Sequence, residues 1–138
     1  MTAKNMQVLL NSRPVGWVKE SDFRIAETEI PKAGAGQVLM RNHYLSLDPY
    51  MRGRMNDAKS YSAPVPLGGV MEGEAVGEVV ESNNAKFKVG DWVTCRVGWQ
   101  QYGLSDGTGM RKVDPKLVPL TTNLGVVGMP GVTAWCWW

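Results

Sequence analysis

Asn42-His43-Tyr44-Leu45-Ser46-Leu47-Asp48-Pro49-Tyr50-Met51-Arg52-Gly53-Arg54-Met55 begins as a strand and breaks at Asp48-Pro49. Pro49 fixes its own φ and pushes Asp48 out of the helical region, so the chain must turn there. The turn then offers a phenol, Tyr50, and two guanidinium groups, Arg52 and Arg54, beside a flexible Gly53. Polar tips on a turn after a buried strand are where a rigid scaffold places function. The plain alternative is a strand and turn with solvated surface arginines.

Outward from this stretch, 16 glycines and 8 prolines punctuate the chain. The segments between them are short and rich in Val, Leu and Ile, the pattern of many short strands. Gln7–Leu10 reads as the first strand. Phe23 and Ile25 alternate with Arg24 in the next, which ends near Ile30-Pro31. The Ala33–Gly36 turn leads into a strand over Gln37–Leu47, where Val38 and Met40 alternate with Leu39 and Arg41. Asn56–Pro66 has no period and reads as a loop. Val70–Glu81 reads as a strand bent by its glycines. Trp92–Val97 follows a Val-Gly-Asp turn, and Trp99–Tyr102 and Arg111–Val113 are further short strands. Even spacing of this kind points to a barrel or sandwich and away from βαβ units.

From Gly125 onward the pattern changes. Pro130 suits the first turn of a helix, and Val132-Thr133-Ala134-Trp135 can continue it. Three tryptophans then fall within four residues, Trp135, Trp137 and Trp138. Such large apolar side chains favour cover, so self-association through this end is expected.

The totals exclude several classes. A chain of 138 residues, 43% apolar and 20% charged, fits one globular domain. A net charge of +2 with scattered basic residues argues against nucleic-acid partners. No apolar run is long enough to cross a bilayer as a helix, and no export signal is legible at the start. Cys95 and Cys136 have neither metal nor redox spacing, so a reducing cytoplasm is the expected setting.

Candidate chemistry is sparse. A dinucleotide fingerprint needs strand, glycine turn and helix start together. Gly34-Ala35-Gly36 runs into strand-like residues, and Gly107-Thr108-Gly109 is followed by Met-Arg-Lys. Tight binding of a nicotinamide cofactor by this chain alone is therefore not expected. His43, the single histidine, lacks the companions that a zinc site requires. His43, Ser46 and Asp48 hold the residue types of a hydrolase triad, but His43 and Ser46 point to opposite faces of a strand. Glu72, Glu74 and Glu78 share a face by parity, interrupted by glycines, and read as partly solvated.

Tyr44–Met55, Gly68–Ser82, Lys88-Val-Gly-Asp-Trp-Val93 and Gly128-Met-Pro-Gly-Val-Thr-Ala134 together resemble the N-terminal domain of the zinc-independent medium-chain dehydrogenase/reductases. The nearest branch holds the leukotriene, prostaglandin, alkenal and curcumin reductases. The resemblance implies an all-β, GroES-like, partly open barrel over residues 1–124. Residues 125–138 would begin a linker helix toward a Rossmann domain. The aromatic tail departs from the family pattern, as though the chain were cut or mis-spliced at that junction. In zinc-dependent relatives a cysteine and a histidine stand where this chain has Leu45 and Gly73, with Glu74 retained, so a family-type catalytic zinc is not expected.

The resemblance also implies an activity. The complete enzyme would use NADPH to reduce the C=C bond of an α,β-unsaturated aldehyde or ketone. Tyr50 would lie in the substrate cleft and polarise the carbonyl, Glu74 would line the substrate pocket, and Met129 and Thr133 would stand nearest the nicotinamide. A tyrosine plugging the barrel mouth and a plain helix start are the ordinary alternatives at those positions. Two other functions remain open, a quinone reductase of the same broader family and a self-associating module without catalysis.

Overall fold

The computed structural model describes residues 3–137. Among the described residues seven strands form two antiparallel sheets. Strands β1 (Lys4–Leu10) and β2 (Phe23–Glu29) pair in full register from Lys4 against Glu29 to Leu10 against Phe23. The larger sheet is built from β3 (Val38–Leu45), β4 (Ala75–Ser82), β5 (Trp92–Cys95), β6 (Tyr102–Ser105) and β7 (Arg111–Lys112). Its spatial order is β6-β3-β4-β5-β7. The all-β, GroES-like architecture expected from the sequence is the one observed.

Isolated bridges from Gln7 to Gln100 and from Leu9 to Val70 tie the small sheet to the large one. A polar seam sits at that junction. The Asn5 amide donates to the Gln100 side chain and the Tyr102 carbonyl, each at 3.1 Å, and its oxygen accepts from the Tyr102 N–H at 2.9 Å. Asn5 is almost wholly buried, and these bonds satisfy its amide where no water can. Two apolar clusters fill the interior. Val38, Met40, Val79, Phe87, Val93, Cys95 and Met110 form one within the large sheet. Leu10, Met51, Met55, Val65 and Met71 form the other, with Phe23, Tyr50 and Trp99 packed on it.

Several boundaries differ from the sequence reading. The strand expected over Val70–Glu81 starts only at Ala75. Residues 70–74 lie outside any strand and bond elsewhere, Met71 N–H to Val8 O and Trp99 N–H to Met71 O. Trp99–Gln101 serves as the bridge between sheets, and the last full strand of this region runs Tyr102–Ser105. The alternation in β3 breaks at Leu39, which is buried together with Val38 and Met40. At Asp48-Pro49 the chain does not simply turn. It enters a one-turn helix, α1 (Tyr50–Arg54), with Pro49 at φ −57° preset for the helical entry. The C-terminal helix α2 (Met129–Cys136) has Pro130 in its first turn, as expected. No helix among the described residues is long and apolar enough to cross a membrane.

A 3-10 turn at Glu20–Asp22 leads into β2. Asp22 accepts from the Lys19 N–H and from the Ser12 hydroxyl, both at 2.8 Å. Those bonds, the Lys19 N–H first and Ser12 next, hold its carboxyl below the ordinary aspartate range. A depressed folded-state value contributes stability above the unfolded value and loses it as pH falls toward the folded one. Unfolding measured below about pH 4 should therefore weaken less steeply for Asp22→Asn than for the parent chain.

Candidate functional site

The turn after β3 is held by its own polar atoms. The Ser46 hydroxyl donates to Asp48 Oδ1 at 3.1 Å, the Met51 N–H to Asp48 O at 3.1 Å and the Arg52 N–H to Pro49 O at 3.1 Å. This aims Tyr50 into a cleft of about 520 Å³ between α1, the segment before β4 and helix α2. Tyr50, Glu74, Met129 and Thr133, which the sequence reading named, all line this cleft. Ser46, Asp48 and Arg96 line it as well.

Burial pushes the Tyr50 phenol above its ordinary value. The Arg96 guanidinium opposes the shift, and the carboxylates of Glu72, Asp48 and Glu74 add to it. The phenol thus keeps its proton at neutral pH and can donate a hydrogen bond. The Arg96 guanidinium carbon lies 6.0 Å from the centre of the Tyr50 ring. No local pattern marked Arg96. It stands one residue past the end of β5, and only sheet pairing brings that end beside Glu74.

A second chamber of about 530 Å³ adjoins the first and shares Glu74, Arg96 and Met129 with it. Arg111, Thr108, Ser105 and Cys95 line this second chamber. Burial raises the Cys95 thiol above its ordinary value, which leaves it a protonated, weakly reactive group.

The two arginines of α1 correct the expectation of surface solvation. Arg54 is buried, with Nε 2.7 Å from Glu72 Oε1, Nη1 donating to Ser62 O at 3.1 Å, and its guanidinium 4.3 Å over the Tyr61 ring. Arg52 donates to Pro14 O at 3.0 Å, to Gly16 O at 3.1 Å and to Asn56 Oδ1 at 2.6 Å. Both pin loops around α1, and neither lines the Tyr50 cleft. A short helix turns them inward, which a simple turn would not have done.

The other candidates separate. Glu72 pairs with Arg54, Glu74 lines the cleft, and Glu78 lies 3.9 Å from His43. His43 also meets the Trp92 ring edge-on at 4.9 Å, whereas Ser46 bonds to Asp48, so the triad residues are not brought together. Leu45 and Gly73 are neighbours: a Cβ built on Gly73 would meet the ends of Leu45, Met51 and Trp99. That space is filled by apolar groups and the Trp99 indole. Among the described residues no cluster of three His, Cys, Asp or Glu side chains is placed to hold a metal ion.

Residues 6–113 match the family model described as the N-terminal domain of oxidoreductase. The chain is 48% identical over 132 residues to the NADPH-dependent curcumin reductase of Escherichia coli, covering 96% of this chain and 38% of that protein. It is 41% identical to prostaglandin reductase 1 of Rattus norvegicus, over 87% of this chain and 35% of the relative. With the NADP(+)-dependent 2-alkenal reductase of Nicotiana tabacum it shares 39% identity, over 95% and 40%. The solved structure of CurA in complex with NADPH from Vibrio vulnificus superposes with a TM-score of 0.88 at 46% identity, over 94% of this chain and 39% of that one. The chain thus spans about two fifths of the length of these relatives. It belongs to the family of oxidoreductase N-terminal domains, in the medium-chain dehydrogenase/reductase branch of the curcumin, prostaglandin and alkenal reductases.

Proposed function

We propose that this chain is the substrate-binding half of an NADPH-dependent reductase acting on the C=C bond of α,β-unsaturated aldehydes or ketones. In this reading residues 1–124 are the substrate domain and 125–138 begin the helix toward a nucleotide-binding domain. The observation that carries it is the convergence of Tyr50, Glu74, Met129 and Thr133 on one cleft. The NADPH-dependent relatives support the same reading.

The residues present fit one end of such a cofactor. Ser46, Met129 and Thr133 offer two hydroxyls and a thioether to a nicotinamide ring. Gly34/Gly36 and Gly107/Gly109 lie in segments that lead into strands and not into a helix start, so neither pair forms the glycine turn that holds a pyrophosphate. NADPH, when held by the rest of the enzyme, supplies the hydride. Tyr50 donates a hydrogen bond to the substrate carbonyl oxygen, and that bond strengthens as negative charge gathers on the oxygen. Glu74 and the apolar side of α2 bound the substrate. Leu45 and Gly73 offer no metal ligand, so this assignment gives carbonyl polarisation to the phenol.

The test has two arms. The 138-residue chain alone should not oxidise NADPH in the presence of an enone. Joined to the nucleotide-binding part of the Escherichia coli curcumin reductase it should, and Tyr50→Phe should then lower kcat/KM by at least about tenfold. Turnover by the isolated chain, or an unaffected Tyr50→Phe enzyme, contradicts the proposal.

A second reading, self-association, is favoured by helix α2. None of its residues is buried, and Trp135 and Trp137 are 83% and 85% exposed, so the cover expected for this end does not come from within the chain. Trp138 lies outside the described residues. Two indoles per copy bury about 150–250 Å² each. Trp135 and Trp137, two residues apart, leave the helix on different sides, so a partner copy must wrap this end to cover both. Sedimentation of the chain should show a concentration-dependent dimer that Trp135→Ser with Trp137→Ser abolishes; a monomer at all concentrations removes this reading.

A further inference from the structure

We propose that Arg96 is a positioning residue that acts through Tyr50: the guanidinium past the end of β5 faces the phenol ring and makes its hydroxyl the stronger hydrogen-bond donor. The inference rests on the reading of Tyr50 as the donor to a substrate carbonyl and adds the group that tunes that donor.

Place in the fold is what singles Arg96 out. Its guanidinium carbon lies 6.0 Å from the centre of the Tyr50 ring, at the outer reach of a cation–π contact. Arg24 and Arg41 likewise make no ion pair among the described residues, but neither lines the cleft.

The other charges near Tyr50 are either turned away or negative. On α1 itself, Arg54 pairs with Glu72 and Arg52 donates to Pro14 O and Gly16 O, and neither lines the cleft. In the turn before α1, the Asp48 carboxylate accepts from the Ser46 hydroxyl. In the segment before β4, Glu72 is taken by Arg54, while Glu74 makes no ion pair among the described residues. Helix α2 contributes only Met129, Pro130, Thr133 and Ala134, none of them charged. Arg96 is therefore the one cation on the wall of the cleft, set against Asp48 and Glu74. Burial raises the phenol above its ordinary value, Arg96 lowers it, and Glu72, Asp48 and Glu74 raise it further. A more acidic phenol donates more strongly to an oxygen that is gathering negative charge.

The test has two arms. In the first, the 138-residue chain carries tyrosine labelled with carbon-13 at Cζ, and the Tyr50 signal, assigned by its loss in Tyr50→Phe, is followed as pH rises. Arg96→Gln should move its titration to higher pH, Arg96→Lys should leave it near the parent, and Glu74→Gln should move it to lower pH. Arg96 is exposed, and circular dichroism would verify that the variants stay folded. In the second arm the chain is joined to the nucleotide-binding part of the Escherichia coli curcumin reductase. Arg96→Gln should lower kcat about fivefold with KM little changed, and on a Tyr50→Phe background it should cost nothing further. A Tyr50 titration that Arg96→Gln leaves in place, or a kcat loss of equal size on both backgrounds, overturns the proposal. A Tyr50→Phe enzyme as active as its parent removes the enone reading instead, and the titration still decides whether Arg96 tunes the phenol.

Discussion

Replacing Gly77 with alanine should destabilise the barrel by about 3 kcal/mol or more, among the larger effects of a single substitution. Gly77 sits in β4, between β3 and β5 in the middle of the large sheet. It pairs with Asn42 where the β3–β4 register shifts between Asn42 and Tyr44. That irregularity kinks β3 against β4. A Cβ at Gly77 would overlap the Arg41 carbonyl oxygen and press on the Asn42 Cα. Those are backbone atoms, so no rotamer change can relieve the clash. The strands must separate or the bulge must move, and either change disturbs Leu45–Asp48, the approach to Tyr50. Gly53→Ala is the matched control. Nothing lies within 4 Å of its added Cβ in α1, and alanine is favoured over glycine within a helix by about 0.5–1 kcal/mol. Urea unfolding should show the Gly77→Ala midpoint lowered by about 1 M or more, with Gly53→Ala unchanged or raised. A Gly77→Ala midpoint equal to that of the parent would mean that the bulge is not the constraint described.

Arg54→Met should cost about 2–3 kcal/mol. Breaking a buried ion pair by removing one partner costs about 3–5 kcal/mol. Here Glu72 keeps 40% of its side chain in solvent and can rehydrate, which reduces the penalty. Methionine preserves much of the apolar stem, so the loss isolates the head group. That head group joins α1 to Glu72 ahead of β4, to the Ser62 carbonyl and to the Tyr61 ring. Without it the loop over residues 56–64 is anchored chiefly at its base, where Arg13 donates to Met55 O and Val65 O. Limited proteolysis should then cut at Lys59 or Tyr61 well before the barrel unfolds. Arg54→Lys restores the charge but not the planar fork, and should recover only part of the stability. Equal protease resistance in Arg54→Met and the parent would show that the loop is held by other contacts.

Much of this was legible along the chain. The glycine and proline punctuation, the short apolar segments and the Asp48-Pro49 break were enough for many short strands in a barrel or sandwich, because each reports a local backbone preference, and the family resemblance chose the GroES-like barrel. Four side chains of the cleft could be named from the family resemblance, Tyr50 and Glu74 on one side and Met129 and Thr133 on the other. Arg96 could not. Its neighbours Cys95 and Val97 read as ordinary strand, and its place beside Tyr50 arises from pairing between β4 and β5, with α2 closing the other side.

The arginines make the same distinction in reverse. Arg52 and Arg54 look solvated in sequence because two charges flank a glycine. Only the turn of α1 decides that one enters the interior and the other clasps the Pro14–Gly16 loop. The sequence by itself determined the pattern of short strands, the break at Pro49 and the missing nucleotide fingerprint, all matters of residue type and near-neighbour spacing, and its resemblance to known reductases pointed to the family. Tertiary structure alone decided which charges are buried, which meet across the cleft and that a second chamber exists, since these depend on contacts between residues tens of positions apart.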